Sequence, residues 1–194
     1  LMFPAAVEGS YDVEMEVTHE KTYSWASLLL PVGSQTCTML LGVDEKAMLV
    51  NAADHVVSSV PIPKTDQVFD ERPRVVRVGV RLQGENATIE ATADGKPLLQ
   101  WTGQQRGLSS TANWALPEGM RLGLGGFFAT FYRVRLRPIG PLLAGAASRE
   151  EVAEGESLPP NEWVEALQFA DVDRGRVWGD WAQRGKELVA RRAL

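Results

Sequence analysis

The stretch Glu85–Gly103, ENATIEATADGKPLLQWTG, decides how the rest of the chain is read. Ala87, Ile89 and Ala91 alternate with Thr88, Glu90 and Thr92, the period-two pattern of a half-buried strand. Asp94-Gly95 follows as a tight turn, because a two-residue hairpin needs positive φ and glycine supplies it without a Cβ clash. Leu98, Leu99 and Trp101 return as the partner strand. The spacing therefore predicts a β-hairpin, flanked by Arg74–Leu82 before it and Met120–Arg137 after it, both alternating in the same way.

Working outward, Tyr11–Thr18 reads as a strand with Tyr11, Val13, Met15 and Val17 inward and Asp12, Glu14 and Glu16 outward. Tyr23–Val32 is a second strand, whose Pro31 suggests that it ends at a sheet edge. Thr36–Val43 and Ala47–Asn51 form a hairpin about Asp44-Glu45-Lys46. Leu1–Gly9 reads as a lead-in, Ala52–Glu71 as a loop holding Pro61 and Pro63, and Gly103–Glu118 as a second loop. In Arg74–Leu82 the apolar face is Val76, Val78, Val80 and Leu82. In the last strand Tyr132, Val134 and Leu136 are expected inward, Arg133, Arg135 and Arg137 outward, and Pro138 is expected to stop it. Short alternating strands joined by turns point to an all-β, two-sheet antiparallel sandwich, with a closed barrel as the competing form.

Beyond Pro138 the character changes. Residues 139–160 are rich in Ala, Gly, Pro and Glu, the composition of a linker or surface excursion. Asn161–Phe169 has helical spacing after a proline pair, so one short helix is expected near the C-terminus. Val177–Leu194 fits either a helix or a hairpin turning at Arg184-Gly185. The hairpin is preferred, because Gly179 and Gly185 would each weaken a helix by about 1 kcal/mol relative to Ala.

The chain has 194 residues, enough for one large domain that needs no metal or disulfide to be stable. Its single cysteine, Cys37, excludes an internal disulfide and a cysteine-based zinc site. A net charge of −5 argues against nucleic acid as a partner, since phosphate neutralisation wants a basic face. No apolar run approaches the ~20 residues that span a bilayer, so no membrane insertion is expected. The start at Leu1 reads as an excerpt from a longer protein, flanked by other domains.

The candidate chemistry is sparse. Trp25, Tyr23, Trp101 and Trp114 are the candidates for stacking on a sugar ring, whose C–H face fits an aromatic face by apolar contact. Against this stands a core position, preferred for the strand residue Trp101 and slightly for Trp25; Trp114, in a polar loop, is expected at the surface. Asp12, Glu14 and Glu16 share a strand face, read first as a solvated acidic face and otherwise as a row opposite a basic strand; nothing in the pattern sets two carboxyls against each other as glycoside hydrolysis requires. No ligand-loop spacing makes them a Ca²⁺ site. His19 and His55 have no nucleophile at a recognisable spacing, Ser109-Ser110 lacks a nucleophile elbow, and Gly123–Gly126 lacks the lysine and helix of a phosphate loop. The Arg133, Arg135, Arg137 row could hold an acidic or sulfated glycan; pairing with the acidic strand is the preferred reading. No cofactor, metal or catalytic residue is assigned.

YDVEMEVT (Tyr11–Thr18), LLLPVG, RVGVRLQGENATIEATADGKPLLQWTG (Arg77–Gly103), LSSTANW and MRLGLGGFFATFYRVRLRP (Met120–Pro138) together resemble the concanavalin A-like (laminin G-like) sandwich modules of planctomycete-type bacterial proteins. These are similar to the 3-keto-disaccharide hydrolase domain. The resemblance covers residues 1–138 and implies a jelly-roll sandwich that binds glycan or another protein, or serves as a structural repeat, with an extracytoplasmic setting. A glycoside-processing hydrolase is the alternative it implies, although the E-x-D-x-x-E motif of laminarinase-type glucanases has no match here. VWGDWAQRGKELVA (Val177–Ala190) resembles the opening strand pair of the same modules. Residues 161–194 are therefore expected either to complete this sandwich, as in a permuted chain, or to open a next repeat.

Overall fold

The structure is a computed structural model that describes residues 1–7, 9–19, 24–43, 46–50, 56–61, 72–108, 121–139, 161–170, 172 and 180–191. Its strands are β1 (Met2–Ala6), β2 (Ser10–His19), β3 (Trp25–Val32), β4 (Gln35–Val43), β5 (Lys46–Val50), β6 (Val56–Pro61), β7 (Arg74–Gln83), β8 (Asn86–Ala93), β9 (Lys96–Gln104), β10 (Arg121–Phe127), β11 (Ala129–Ile139), β12 (Val164–Glu165), β13 (Trp181–Arg184) and β14 (Glu187–Ala190). They form two antiparallel sheets packed face to face as a β-sandwich. The first has the order β1-β10-β3-β4-β5-β6; the second runs β13-β14-β11-β2-β7-β8-β9, with β12 added against β11.

The Glu85–Gly103 hairpin is β8–β9. Asp94 and Gly95 both take positive φ, 48° and 79°, which gives the turn the twist that flanking strands require. A register shift after Ala91 inserts one extra residue, so adjacent Leu98 and Leu99 are both buried. Between the sheets lies one core: Val13, Met15 and Val17 of β2, Val76, Val78 and Val80 of β7 and Ile89 of β8 face Leu28, Leu30, Met39, Leu49, Leu122 and Leu124 of the first sheet. Tyr11 is fully buried in it and donates its hydroxyl to the Pro31 carbonyl at 2.9 Å. Cys37 is also fully buried, and burial pushes its thiol up to about 12.

Several expectations are corrected. The lead-in contains β1, which pairs with β10. The Ala52–Glu71 loop contains β6, whose Val-rich start pairs with β5 and whose Pro61 is its last residue at the sheet edge. β3 is an interior strand, and Pro31 lies beyond Leu29, where the pairing with β10 ends. In β11 an irregularity between Phe131 and Arg133 sends Phe131 into the core and leaves Tyr132 half-buried. Pro138 does not stop this strand; it is paired opposite Tyr11, and its carbonyl accepts from the Asn161 amide at 2.8 Å. The helix expected at Asn161–Phe169 is instead the two-residue β12 and a single 3₁₀ turn, Leu167–Phe169. The free edge of β11 captures Val164 and Glu165, and a strand bond to an existing sheet outweighs a marginal helix of nine residues.

The tail forms a hairpin, not a helix. β13 and β14 turn at Gly185, φ 63°, and β14 pairs with β11. Trp181, Leu188 and Ala190 join the core, with the Trp181 ring stacked 6.1 Å from Phe131.

Candidate functional site

Antiparallel pairing brings the ends of five strands together at one end of the sandwich. Ala129 is opposite His19, Phe127 is opposite Trp25, and Ala129 also faces Ala190. His19, Ser24, Trp25, Gly42, Phe127 and Phe128 therefore gather there.

Trp25 has the same strand parity as Ser27 and Leu29, whereas Ala26, Leu28 and Leu30 enter the core. It consequently stands on the outer face of the first sheet, half-buried at the rim. Phe127 is its register partner. Phe128 follows with φ 52°, in the left-handed region that bulky side chains avoid at a cost of about 1–2 kcal/mol. Its ring meets Phe127 edge-on, 4.5 Å between centroids. All three aromatics are half-buried at this end of the sandwich.

Below them, His19 Nδ1 and Ser24 Oγ lie 3.0 Å apart. The distance would suit a base and a nucleophile, but both residues are almost completely buried. Burial lowers the His19 pKa to about 4 against the raising effect of a hydrogen bond with the Ser24 backbone, so the ring is neutral at pH 7. The pair ties the end of β2 to the start of β3. Gly42, φ 92°, seals it: a Cβ there would lie 3.0 Å from the Ser24 carbonyl oxygen and 3.2 Å from His19 Cε1. No sequence signal marked Ser24, because the contact crosses a connection.

The outer face of the second sheet is built differently. Register places Arg133, Arg135 and Arg137 of β11 opposite Glu16, Glu14 and Asp12 of β2, and Glu14 opposite Arg77 of β7. Arg135 donates from Nε and Nη2 to Glu14 Oε1, and Arg77 Nε donates to Oε2 at 2.5 Å. Asp12 accepts from Arg137 on Oδ2 and from Arg81 on Oδ1. Arg81 reaches Asp12 across Gly79, where a Cβ would stand 3.2 Å from Asp12 Oδ1 and 3.4 Å from Arg81 Nη1. Glu16 pairs with Arg133 at 3.4 Å. Trp163 lies over Arg135 and Arg137, 5.1 and 4.9 Å from their guanidinium carbons, a cation–π stack. The acidic row is thus opposite a basic strand and not a solvated face: the Glu14 side chain is 1% exposed. Burial pushes its carboxyl up, but hydrogen bonds and charge from Arg135 and Arg77 outweigh this and hold it below the usual range. A carboxylate so held is a poor general acid, and its oxygens are already occupied as far as a cation is concerned. Among the described residues no group of three His, Cys, Asp or Glu could hold a metal.

The sequence-stacking candidates divide. Trp25 lies at the aromatic end. Trp101 is half-buried and packs against the core, its ring lying over Gly103, where a Cβ would be 2.6 Å away. Tyr23 and Trp114 lie outside the described residues, as do His55 and Ser109-Ser110. Phe127 and Phe128 were missed, since a positive φ at phenylalanine has no signature in residue type. No described helix is long and apolar enough to cross a membrane. No family model and no curated protein sequence matches this chain.

Proposed function

We propose that this chain is a non-catalytic binding module of the laminin G-like kind, which holds a glycan at the aromatic end of the sandwich. The observation that carries the reading is Phe128. A bulky residue kept at φ 52° beside Phe127 and Trp25 maintains strain where the fold alone would favour glycine. Strain of this sort collects at ligand sites, and three aromatic rings at a rim offer the apolar surface that the C–H face of a pyranose requires. The arginine-bound carboxylates of β2 support binding over hydrolysis.

The test is a glycan array on the purified chain with Trp25→Ala and Phe128→Gly alongside. Phe128→Gly relieves the backbone strain, so it is expected to unfold at an equal or higher temperature while losing glycan binding. Binding retained in both variants would remove the aromatic end from consideration. Release of sugar from a glycoside by the pure chain would replace the module with a hydrolase.

A further inference from the structure

We propose that the tail hairpin β13–β14 is a positioning element for the aromatic end: Ala190, seated against Gly126, holds the crossover that presents Phe127 and Phe128. This rests on the preceding reading only for what the aromatic end binds. The coupling itself is a property of the unliganded chain.

The crossing between the sheets is one residue long. β10 ends at Phe127 in the first sheet and β11 begins at Ala129 in the second, so Phe128 alone carries the chain across. A left-handed residue other than glycine persists only where its surroundings fix the backbone on both sides. On the near side, Phe127 is paired with Trp25 of β3. On the far side, Ala129 is held between two strands, opposite His19 of β2 and opposite Ala190 of β14. β2 is an interior strand between β11 and β7, whereas β14 has only the four-residue β13 beyond it. The tail is thus the clamp that lies at the margin of the sheet.

Gly126 marks where the clamp acts. Leu122 and Leu124 of β10 enter the core, and Gly126 has the same parity. A Cβ at Gly126 would lie 2.9 Å from Ala190 Cβ, and 3.3 Å from Ala129 Cβ and Phe131 Cε2. The strand therefore lacks a side chain at the point where β14 meets the crossover. This accounts for a glycine that belongs to no phosphate loop. A second contact lies one core residue further on, where Trp181 of β13 stacks on Phe131 of β11. Ala190 is 1% exposed and has nothing to offer a ligand, so its influence passes through the backbone of Phe128 and Ala129. By linkage, a ligand that prefers the strained arrangement also tightens the tail.

The experiment reads Phe128 in the full chain by NMR, through the one-bond Cα–Hα coupling that separates positive from negative φ. In Gly126→Ala the new methyl meets Ala190, and Phe128 is expected to move from the positive-φ value to the negative-φ value. Adding Ala190→Gly removes the opposing methyl and is expected to restore it. An unchanged Phe128 in Gly126→Ala would overturn the proposal. So would a change that Ala190→Gly does not rescue, because the disturbance would then run through Ala129 or Phe131. Should Gly126→Ala fail to fold, native-state hydrogen exchange on the unaltered chain decides. A single opening free energy and denaturant dependence for the amides of residues 128–130 and 188–190 supports the coupling; β14 opening while residues 128–130 stay protected refutes it. On the glycan array, Gly126→Ala is expected to lose about tenfold in signal, a moderate coupling, and the double variant to recover it. An array silent with the unaltered chain removes the glycan reading, and Phe128 then decides the coupling by itself.

Discussion

Leu29, Thr38 and Val50 in the first sheet and Asp12, Glu14 and Arg135 in the second all point away from the sandwich core, yet the two sets are treated in opposite ways. The first set is apolar or hydroxylic and almost completely buried. It includes Ser27, whose buried hydroxyl has no partner. In the second set every carboxylate oxygen of Asp12 and Glu14 is met by an arginine. An apolar outer face tolerates one unsatisfied hydroxyl at a modest cost, whereas a buried carboxylate does not tolerate an unsatisfied oxygen. The difference shows why the second sheet needs its strands in one register: a one-residue slip would set arginine against valine on β2 and leave Glu14 buried without a counter-ion.

Exchanging the two solutions should break the molecule most severely. Leu29→Glu places an unpaired charge on the buried outer face of the first sheet and is expected to cost about 4 kcal/mol or more, read as loss of the cooperative unfolding transition. A transition unchanged in denaturant midpoint would show that this face opens to water. Removing one charge from the second sheet should cost less. Glu14→Ala strands Arg135 and Arg77, but both reach solvent, so about 3 kcal/mol is expected in urea unfolding, the low end for breaking a buried pair. A cost under about 1 kcal/mol would class the lattice with ordinary surface pairs.

The smallest effect separates the aromatic end from the charged face by pH. His19 has a folded pKa of about 4 against an ordinary 6.5, so the unfolded chain takes up the proton first. Its stabilising contribution is complete above pH 6.5 and is lost as pH falls toward 4. Stability should therefore drop by about 2 kcal/mol between pH 7 and pH 5. Glu14, held low, loses its contribution in the same direction but only once pH falls below its ordinary range. His19→Gln is expected to flatten the slope between pH 7 and 5; an unaltered slope would assign the titration elsewhere.

Much of this was legible in the chain. The Asp94-Gly95 turn and the alternation on either side gave the β8–β9 hairpin because both signals are local. The acid row on β2 and the arginine row on β11 stood out by their period of two, and their pairing followed from complementary sign. The roles of Arg77 and Arg81 did not, because only the β2–β7 register and the missing side chain at Gly79 show where they reach. β1 and β6 escaped notice because each is a short stretch carrying or abutting proline. Trp25 was visible as an aromatic at a strand start, whereas Phe128 depends on a backbone angle and Ser24 on its approach to His19, neither of which residue identity encodes.

Cys37 gives the molecule a clock. It is the only thiol in the chain, sits fully enclosed on β4, and is not ionised while enclosed. A thiol reagent can consume it only in moments when β4 parts from the opposing sheet. Where reclosing outpaces labelling, the ratio of the labelling rate in native buffer to that of the unfolded chain gives the free energy of the opening that frees this strand.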